Sequence, residues 1–268
     1  MNRHAWLRHA PLYAFCALAF AFLVLPLLVI VLTSFTNTDY LAFPPQGWTL
    51  RWYARFLSDP SYLSSIGLSA GLAISSTFTA LILGLPVALV LSRRSGRLDG
   101  VIGGLFLSPL VLPTIVIGAS VLQFATAMGF ARTWTAMYVG HTILVLPYTV
   151  RTALASLSGF QLGLEEAALD LGATRTQTFF LVTLPIIKPG VVAGSLFGLI
   201  ISWVNVELSI FNSTSELTTL PVKLFNYVQY AIDPMIAAVS ASTIYVAVLI
   251  VFLIDRLVGI DRMNTSAS

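Results

Sequence analysis

Two sets of residues in this 268-residue chain have types and spacings that could do chemistry. The first is the stretch "EEAALDLGATRTQTFFLVTLPIIKPG", 165–190, in which Glu165, Glu166, Asp170 and Arg175 sit among small and apolar residues. The second is a scatter of polar side chains within or near apolar runs: Gln123, His141, Asn205 and Glu207. Such groups are costly in lipid and face a cavity or a partner when they occur there. Neither set offers bond-making chemistry. The three histidines are His4, His9 and His141 and the single cysteine is Cys16, so no His/Cys cluster has metal-ligand spacing. Cys16 reads as an inert packing thiol. "GVIGG" at 100–104 lacks both a following Lys-Ser or Lys-Thr and a preceding strand, so it is no phosphate loop. Energy for any work must come from elsewhere.

The elements that hold these residues are membrane helices. Only 9% of residues are charged and 57% are hydrophobic, against roughly 25% charged in a soluble domain. Windows of about 20 apolar residues, enough to cross a hydrocarbon core, recur at 12–32, 67–91, 101–126, 136–154, 190–210 and 236–255. The sequence therefore predicts an all-α membrane protein with six transmembrane helices. The third is interrupted by Pro109, Pro113 and Gly118. The first ends in "TSFTNTDY", which has no small-x-small cleavage pattern, and reads as an uncleaved anchor.

Orientation follows from Lys and Arg in the connections. Arg3, Arg8, Arg93, Arg94, Arg97, Arg151, Arg175, Lys188, Arg256 and Arg262 fall on one side; Arg51, Arg55, Arg132 and Lys223 fall on the other. The bias predicts that both termini and the polar insert are cytoplasmic. It also explains the net charge of +3 without nucleic acid, because no basic stripe is interleaved with aromatics.

Within the insert, Ala, Leu and Glu favour a helix after Glu165, and Gly172 stands where the chain can turn sharply or two helices can approach. Thr174 can cap a second short helix through Phe179, Phe180 and Leu181, which Pro185 and Pro189 are expected to stop before the fifth span. Exposed apolar residues beside carboxylates suit a protein docking surface. Few basic residues lie on the polar positions, which weakens the alternative of a helix lying on the membrane. Among the polar residues of the spans, Glu207 reads equally as an interfacial carboxylate or a pathway residue, and so does His141. Asn205 and Gln123 read equally as helix-to-helix hydrogen bonds. Trp48, Trp52, Tyr53, Tyr62, Trp134, Tyr138, Tyr227 and Tyr230 fall near the outer ends and read mostly as an interfacial aromatic belt.

The pattern Glu166-Ala167-Ala168, three residues, Gly172, nine residues, Val182, one residue, Leu184-Pro185 resembles the E-A-A-x3-G-x9-I-x-L-P cytoplasmic loop of permease subunits in binding-protein-dependent ABC importers. Only the Ile position departs, to Val. The resemblance implies a type I ABC importer permease (MetI-like) core over about 62–256, with a coupling loop at 160–189. Residues 1–61 would supply the N-terminal tail, first helix and outer loop, and 257–268 a cytoplasmic tail. It implies a bacterial inner-membrane location and, as partners, a cytoplasmic ABC ATPase dimer, a second permease (a different chain or a second copy) and an external solute-binding protein. ATP and Mg would be bound by the ATPase, with no cofactor and no catalytic site in this chain.

A finer resemblance is to the second permease of spermidine/putrescine-type importers, in which the fifth span ends in a Ser-x-acid-acid pattern and a T-L-P segment follows. Ser202 and "TTLP" at 218–221 are kept, whereas Val204 and Asn205 replace the acidic pair and Glu207 follows. The solute implied is a small amino-bearing one, either polyamine-like or of the opine or aminoethylphosphonate kind. The alternative class is a secondary transporter driven by an ion gradient, which needs intramembrane acids or an inverted repeat. A membrane-embedded enzyme is third and lacks a nucleophile-base pair or a metal set.

Overall fold

The computed structural model describes residues 3–93 and 96–258, with backbone alone at 3–10, 97, 254, 255, 257 and 258. Arg94, Arg262 and most of the C-terminal tail lie outside the described residues. The order of helices is α1 (Arg3–Thr33), α2 (Arg51–Ser58), α3 (Pro60–Arg93), α4 (Arg97–Leu107), α5 (Thr114–Ala127), α6 (Trp134–Leu157), α7 (Gly163–Asp170), α8 (Arg175–Thr178), α9 (Leu184–Val204), α10 (Ser209–Asn212), α11 (Leu220–Val228) and α12 (Pro234–Val258). No strand occurs among the described residues.

Four helical runs are long and apolar enough to cross a bilayer: Pro11–Thr33, Pro60–Arg93, Arg175–Val204 and Pro234–Leu253. The third expected span is not one rod. Leu98–Leu110 and Thr114–Ala127 meet at 103° and qualify only as a pair. Pro109 and Pro113 remove two backbone donors there; a 3₁₀ turn at Ser108–Leu110 ends the first limb and Pro113, with ψ 132°, opens the second. The fourth expected span, α6, is a continuous 24-residue helix, yet its composition is too polar for the same test. The reason is burial: His141, Thr142 and Thr149 are enclosed by protein, so lipid does not select against them. The fifth differs at both ends. Pro185 and Pro189 do not stop the preceding helix, because a π-turn at Phe179–Thr183 joins α8 to α9. The Leu184 N–H donates to the Phe179 carbonyl five residues back, and Pro185, which has no N–H to place, follows within the first turn of α9. At its other end α9 stops at Val204, and Asn205 is extended with ψ 121°.

The chain divides into two compact units: residues up to Leu63 together with Asn226–Val246, and Ser64–Phe225 together with the residues from Ala247 on. In the first, Trp52 and Phe56 of α2 are buried, and the Trp52 indole N–H donates to the Thr36 carbonyl at 3.0 Å. Tyr53 Oη lies 2.6 Å from Ser34 Oγ, and Tyr62 is also buried. Trp52 and Tyr62 are thus packing residues of this unit rather than members of a lipid-facing belt. Trp48 and Tyr230 do stay exposed.

In the second unit α6 and α9 pack backbone to backbone. Gly190, Gly194 and Gly198 of α9 recur every four residues on one face. A Cβ on Gly190 would stand 2.5 Å from the Thr152 carbonyl, one on Gly194 2.6 Å from Thr152 Oγ1, and one on Gly198 2.7 Å from Val145 Cγ1. Only small residues allow that approach. Ala88 of α3 joins Val150, Ala153, Leu157 and Ile187 in a core cluster against the same pair.

Candidate functional site

The first candidate site is the polar insert. α7 carries Glu165 and Glu166 in its first turn, where carboxylates complement the helix N-terminus. It ends in a Schellman motif: Ala173 N–H donates to the Ala168 carbonyl at 3.0 Å and Gly172 N–H to the Leu169 carbonyl at 2.9 Å. Gly172 has φ +90°, the left-handed geometry this closure demands, and nothing lies within 4 Å of a Cβ built there. Of the two sequence readings of Gly172, the sharp turn is therefore the one observed. Thr174 caps α8 as expected, through a reciprocal box in which Gln177 N–H donates to Thr174 Oγ1 at 3.3 Å and Thr174 N–H to Gln177 Oε1 at 2.8 Å.

The two adjacent glutamates take opposite directions. Glu166 and Ala167 are exposed and Ala168 is half-buried, whereas the Glu165 side chain is only 13% exposed. Its Oε1 lies 2.5 Å from Arg93 Nη2 at the end of α3 and accepts from Thr183 Oγ1, also at 2.5 Å, in the π-turn. Val182 and Leu184 are half-buried and Pro185 is exposed. Leu171, 90% exposed, and Phe180 and Leu181 are the exposed apolar residues beyond the α7 helix. Phe180 meets Phe179 edge-on, with ring centroids 4.9 Å apart.

The second candidate site is a polar node in the bundle. His141 of α6, 1% exposed, uses both ring nitrogens: Nδ1 lies 2.7 Å from Ser202 Oγ on α9, and Nε2 lies 2.9 Å from Ser209 Oγ on α10. The Ser209 hydroxyl gives its one proton to the Asn205 carbonyl, so it accepts from Nε2–H, and Nδ1 accepts from the Ser202 hydroxyl. Ser76 Oγ of α3 stands 3.4 Å from Ser202 Oγ. His141 therefore bridges the break at 205–208, with α9 on one nitrogen and α10 on the other. Asn205 shapes the break: its Oδ1 accepts the Leu208 N–H at 2.9 Å, and its carbonyl accepts from Ser209 Oγ at 3.1 Å. Leu208, fully buried, is pressed between α5 and α6; a Cβ on Gly118 would stand 2.9 Å from Leu208 Cα and one on Gly140 2.8 Å from Leu208 Cδ2.

Of the five polar candidates read from the sequence, His141, Ser202 and Asn205 are brought together here. Glu207 is exposed on the same elbow, and Gln123 is exposed on α5 and makes no bond to the node. The sequence reading passed over Ser209, Arg93 and Thr183, and it passed over the glycine stripe, although G-x3-G-x3-G-x3-S from Gly190 to Ser202 is legible at four-residue spacing.

Residues 80–260 match the family model described as binding-protein-dependent transport system inner membrane component. The chain belongs to this family. It is a permease subunit of a binding-protein-dependent ABC import system and a multi-pass inner-membrane protein. The permease is 36% identical over 231 residues to the putrescine transport system permease protein PotI of Escherichia coli K12, covering 83% of this chain and 82% of that one. It is 27% identical over 248 residues to the spermidine/putrescine transport system permease protein PotC of the same strain, covering 92% and 93%. Its fold matches a chain of a bacterial ABC transporter involved in the import of the acidic polysaccharide alginate, with TM-score 0.74, 16% identity, and 96% and 98% covered. A chain of the MetNI methionine ABC transporter matches with TM-score 0.60, 24% identity, and 73% and 94% covered. The relatives named for transport are permeases, not enzymes.

Proposed function

We propose that this permease forms one half of a translocation pathway for a small diamine-like cation, and that the loop at 160–189 receives the motion of a cytoplasmic ABC ATPase. The observation that carries the reading is the exposed, rigidly turned surface of Glu166, Ala167, Leu171 and Phe180. It is local and closed by a Schellman glycine and a capping box; Phe180 lies within the helical run Arg175–Val204, long enough to span the membrane, and Glu166, Ala167 and Leu171 join it through the turn at Gly172. A push on it has a stiff path into the bundle. A second permease, either a different chain or another copy, completes the pathway; an external binding protein delivers solute; ATP and Mg reside on the ATPase. The Lys/Arg bias supports cytoplasmic termini and a cytoplasmic insert. α6 counts as a sixth span in this reading, because a helix enclosed by its neighbours need not be apolar throughout.

The solute class rests on the names of PotI and PotC and on Glu207, exposed at the elbow. The test is to purify the tagged permease with its assembled partners, reconstitute it in vesicles, and follow labelled putrescine with spermidine and 2-aminoethylphosphonate as competitors. ATP-dependent uptake with a co-purifying ATPase is expected. Uptake driven by an ion gradient without ATP would establish the secondary-transporter alternative instead.

A further inference from the structure

We infer that Glu165, through Arg93 and Thr183, is the residue that transmits motion of the insert to the membrane helices; this rests on the coupling role proposed above. Three elements converge on its one carboxylate. Arg93 is the last residue of α3, Glu165 lies in the first turn of α7, and Thr183 ends the π-turn that leads into α9. Both bonds to Oε1 are 2.5 Å long, with Arg93 39% exposed and Thr183 1% exposed.

The surroundings give these bonds their weight. The Arg93, Glu165 and Thr183 side chains border a cavity of about 400 Å³, whose other walls include Leu89, Leu169, Arg175 and Phe179. Side chains do not fill the space between the end of α3 and the insert, so apolar packing does not lock α7 to α3 across it. The charge-assisted bonds at Glu165 bridge that gap. Such bonds are directional and roughly twice as strong as neutral ones, and a carboxylate only 13% exposed is less screened than a surface ion pair. Glu166, the neighbouring residue, points away and makes no such bond among the described residues. The two glutamates therefore divide the work: Glu166 faces the partner, and Glu165 ties the insert to α3 and α9. Glu165 is a positioning residue and touches neither solute nor nucleotide.

The experiment uses the fully assembled importer with labelled putrescine as probe. Glu165→Gln keeps the volume and removes the charge. The expected result is a maximal uptake rate lowered about 5–30-fold, the range that 1–2 kcal/mol represents. KM for putrescine and the amount of co-purified ATPase stay at parental values, and ATP hydrolysis loses its stimulation by the loaded binding protein. Exchanging the charges, Arg93→Glu together with Glu165→Arg, should recover more than half of the loss, whereas either reversal alone should not. Parental maximal rate in Glu165→Gln would overturn the inference, as would loss of the ATPase from that complex, since Glu165 would then serve docking rather than transmission. A parental complex that holds no ATPase would overturn the coupling role itself.

Discussion

His141 of α6 and Ser202 of α9 are hydrogen-bonded at 2.7 Å inside the bundle, and the other imidazole nitrogen reaches Ser209 of α10 at 2.9 Å. One side chain thus splints a helix across its own interruption. His141→Ala would remove the imidazole bonds of Ser202 and Ser209 and leave a void where the buried ring stood. Interhelical bonds in membranes contribute about 0.6–2 kcal/mol each, and lost packing adds to them, so a total of about 2–4 kcal/mol is expected. Thermal unfolding of the purified permease should show the drop, with KM for putrescine unchanged in the folded fraction. A shifted KM with parental stability would make His141 a solute contact.

The glycine stripe sets a second expectation. Adding one methyl at Gly190, Gly194 or Gly198 places a carbon 2.3 to 2.8 Å from atoms of α6 and α3. Overpacking of that kind costs about 1–3 kcal/mol. Gly104→Ala in α4 meets nothing within 4 Å and should be neutral or slightly stabilising through helix propensity. The yield of monodisperse protein after detergent extraction separates the two groups. Equal behaviour would mean that α6 and α9 are less closely apposed than described.

Gly172 permits a prediction that distinguishes conformation from collision. Because a Cβ there meets nothing but the backbone is left-handed at φ +90°, any L-residue should cost about 1–2 kcal/mol. Gly172→Ala and Gly172→Asp should both loosen the turn, with Gly172→Asn milder because Asn tolerates positive φ. Proteolysis of the insert in the purified permease reads the loosening directly. If Ala and Asn behave like Gly, the Schellman closure does not hold this turn.

What the sequence makes legible here is local chemistry. The turn at Gly172 and the cap at Thr174 depend on residues three to five apart, so their signals survive without the fold. Tertiary arrangements do not. Glu165 and Glu166 are adjacent and identical, and the positions of Arg93, 72 residues earlier, and Thr183, 18 residues later, distinguish inward from outward. The run "SWVNVELSIF" holds neither Pro nor Gly, and the break after Val204 comes from Leu208 seated between Gly118 and Gly140 and from Asn205 capping Leu208. α6 is legible as a window at 136–154, but what its polar residues do is not, because they answer to neighbouring helices rather than to lipid. Pro185 was expected to end a helix, but the π-turn before it removes the conflict that a proline normally creates.

Glu166 should separate docking from folding. It is exposed and makes no side-chain bond among the described residues, so Glu166→Lys should leave thermal stability within about 0.5 kcal/mol of the parent. Under the proposed coupling role, the same change should weaken ATPase retention on a tagged permease. Retention at parental levels would place the docking contacts on Leu171 and Phe180 instead.

The elbow offers the test of solute choice. Asn205 spends its side-chain oxygen on the Leu208 N–H at 2.9 Å, and Glu207 two residues on is exposed. Asp accepts the same bond as Asn, so Asn205→Asp should preserve the break while adding a negative charge, and Asn205→Leu should lose the cap at a cost of about 1 kcal/mol. Glu207→Gln removes charge with little change of volume. If this elbow faces the solute, KM for putrescine should rise in Glu207→Gln, with thermal stability unchanged. In Asn205→Asp, preference should shift toward spermidine, the more highly charged cation. Uptake competition between labelled putrescine and unlabelled spermidine measures both effects. Identical competition curves for parent, Glu207→Gln and Asn205→Asp would remove the elbow from solute selection and leave selection to the external binding protein.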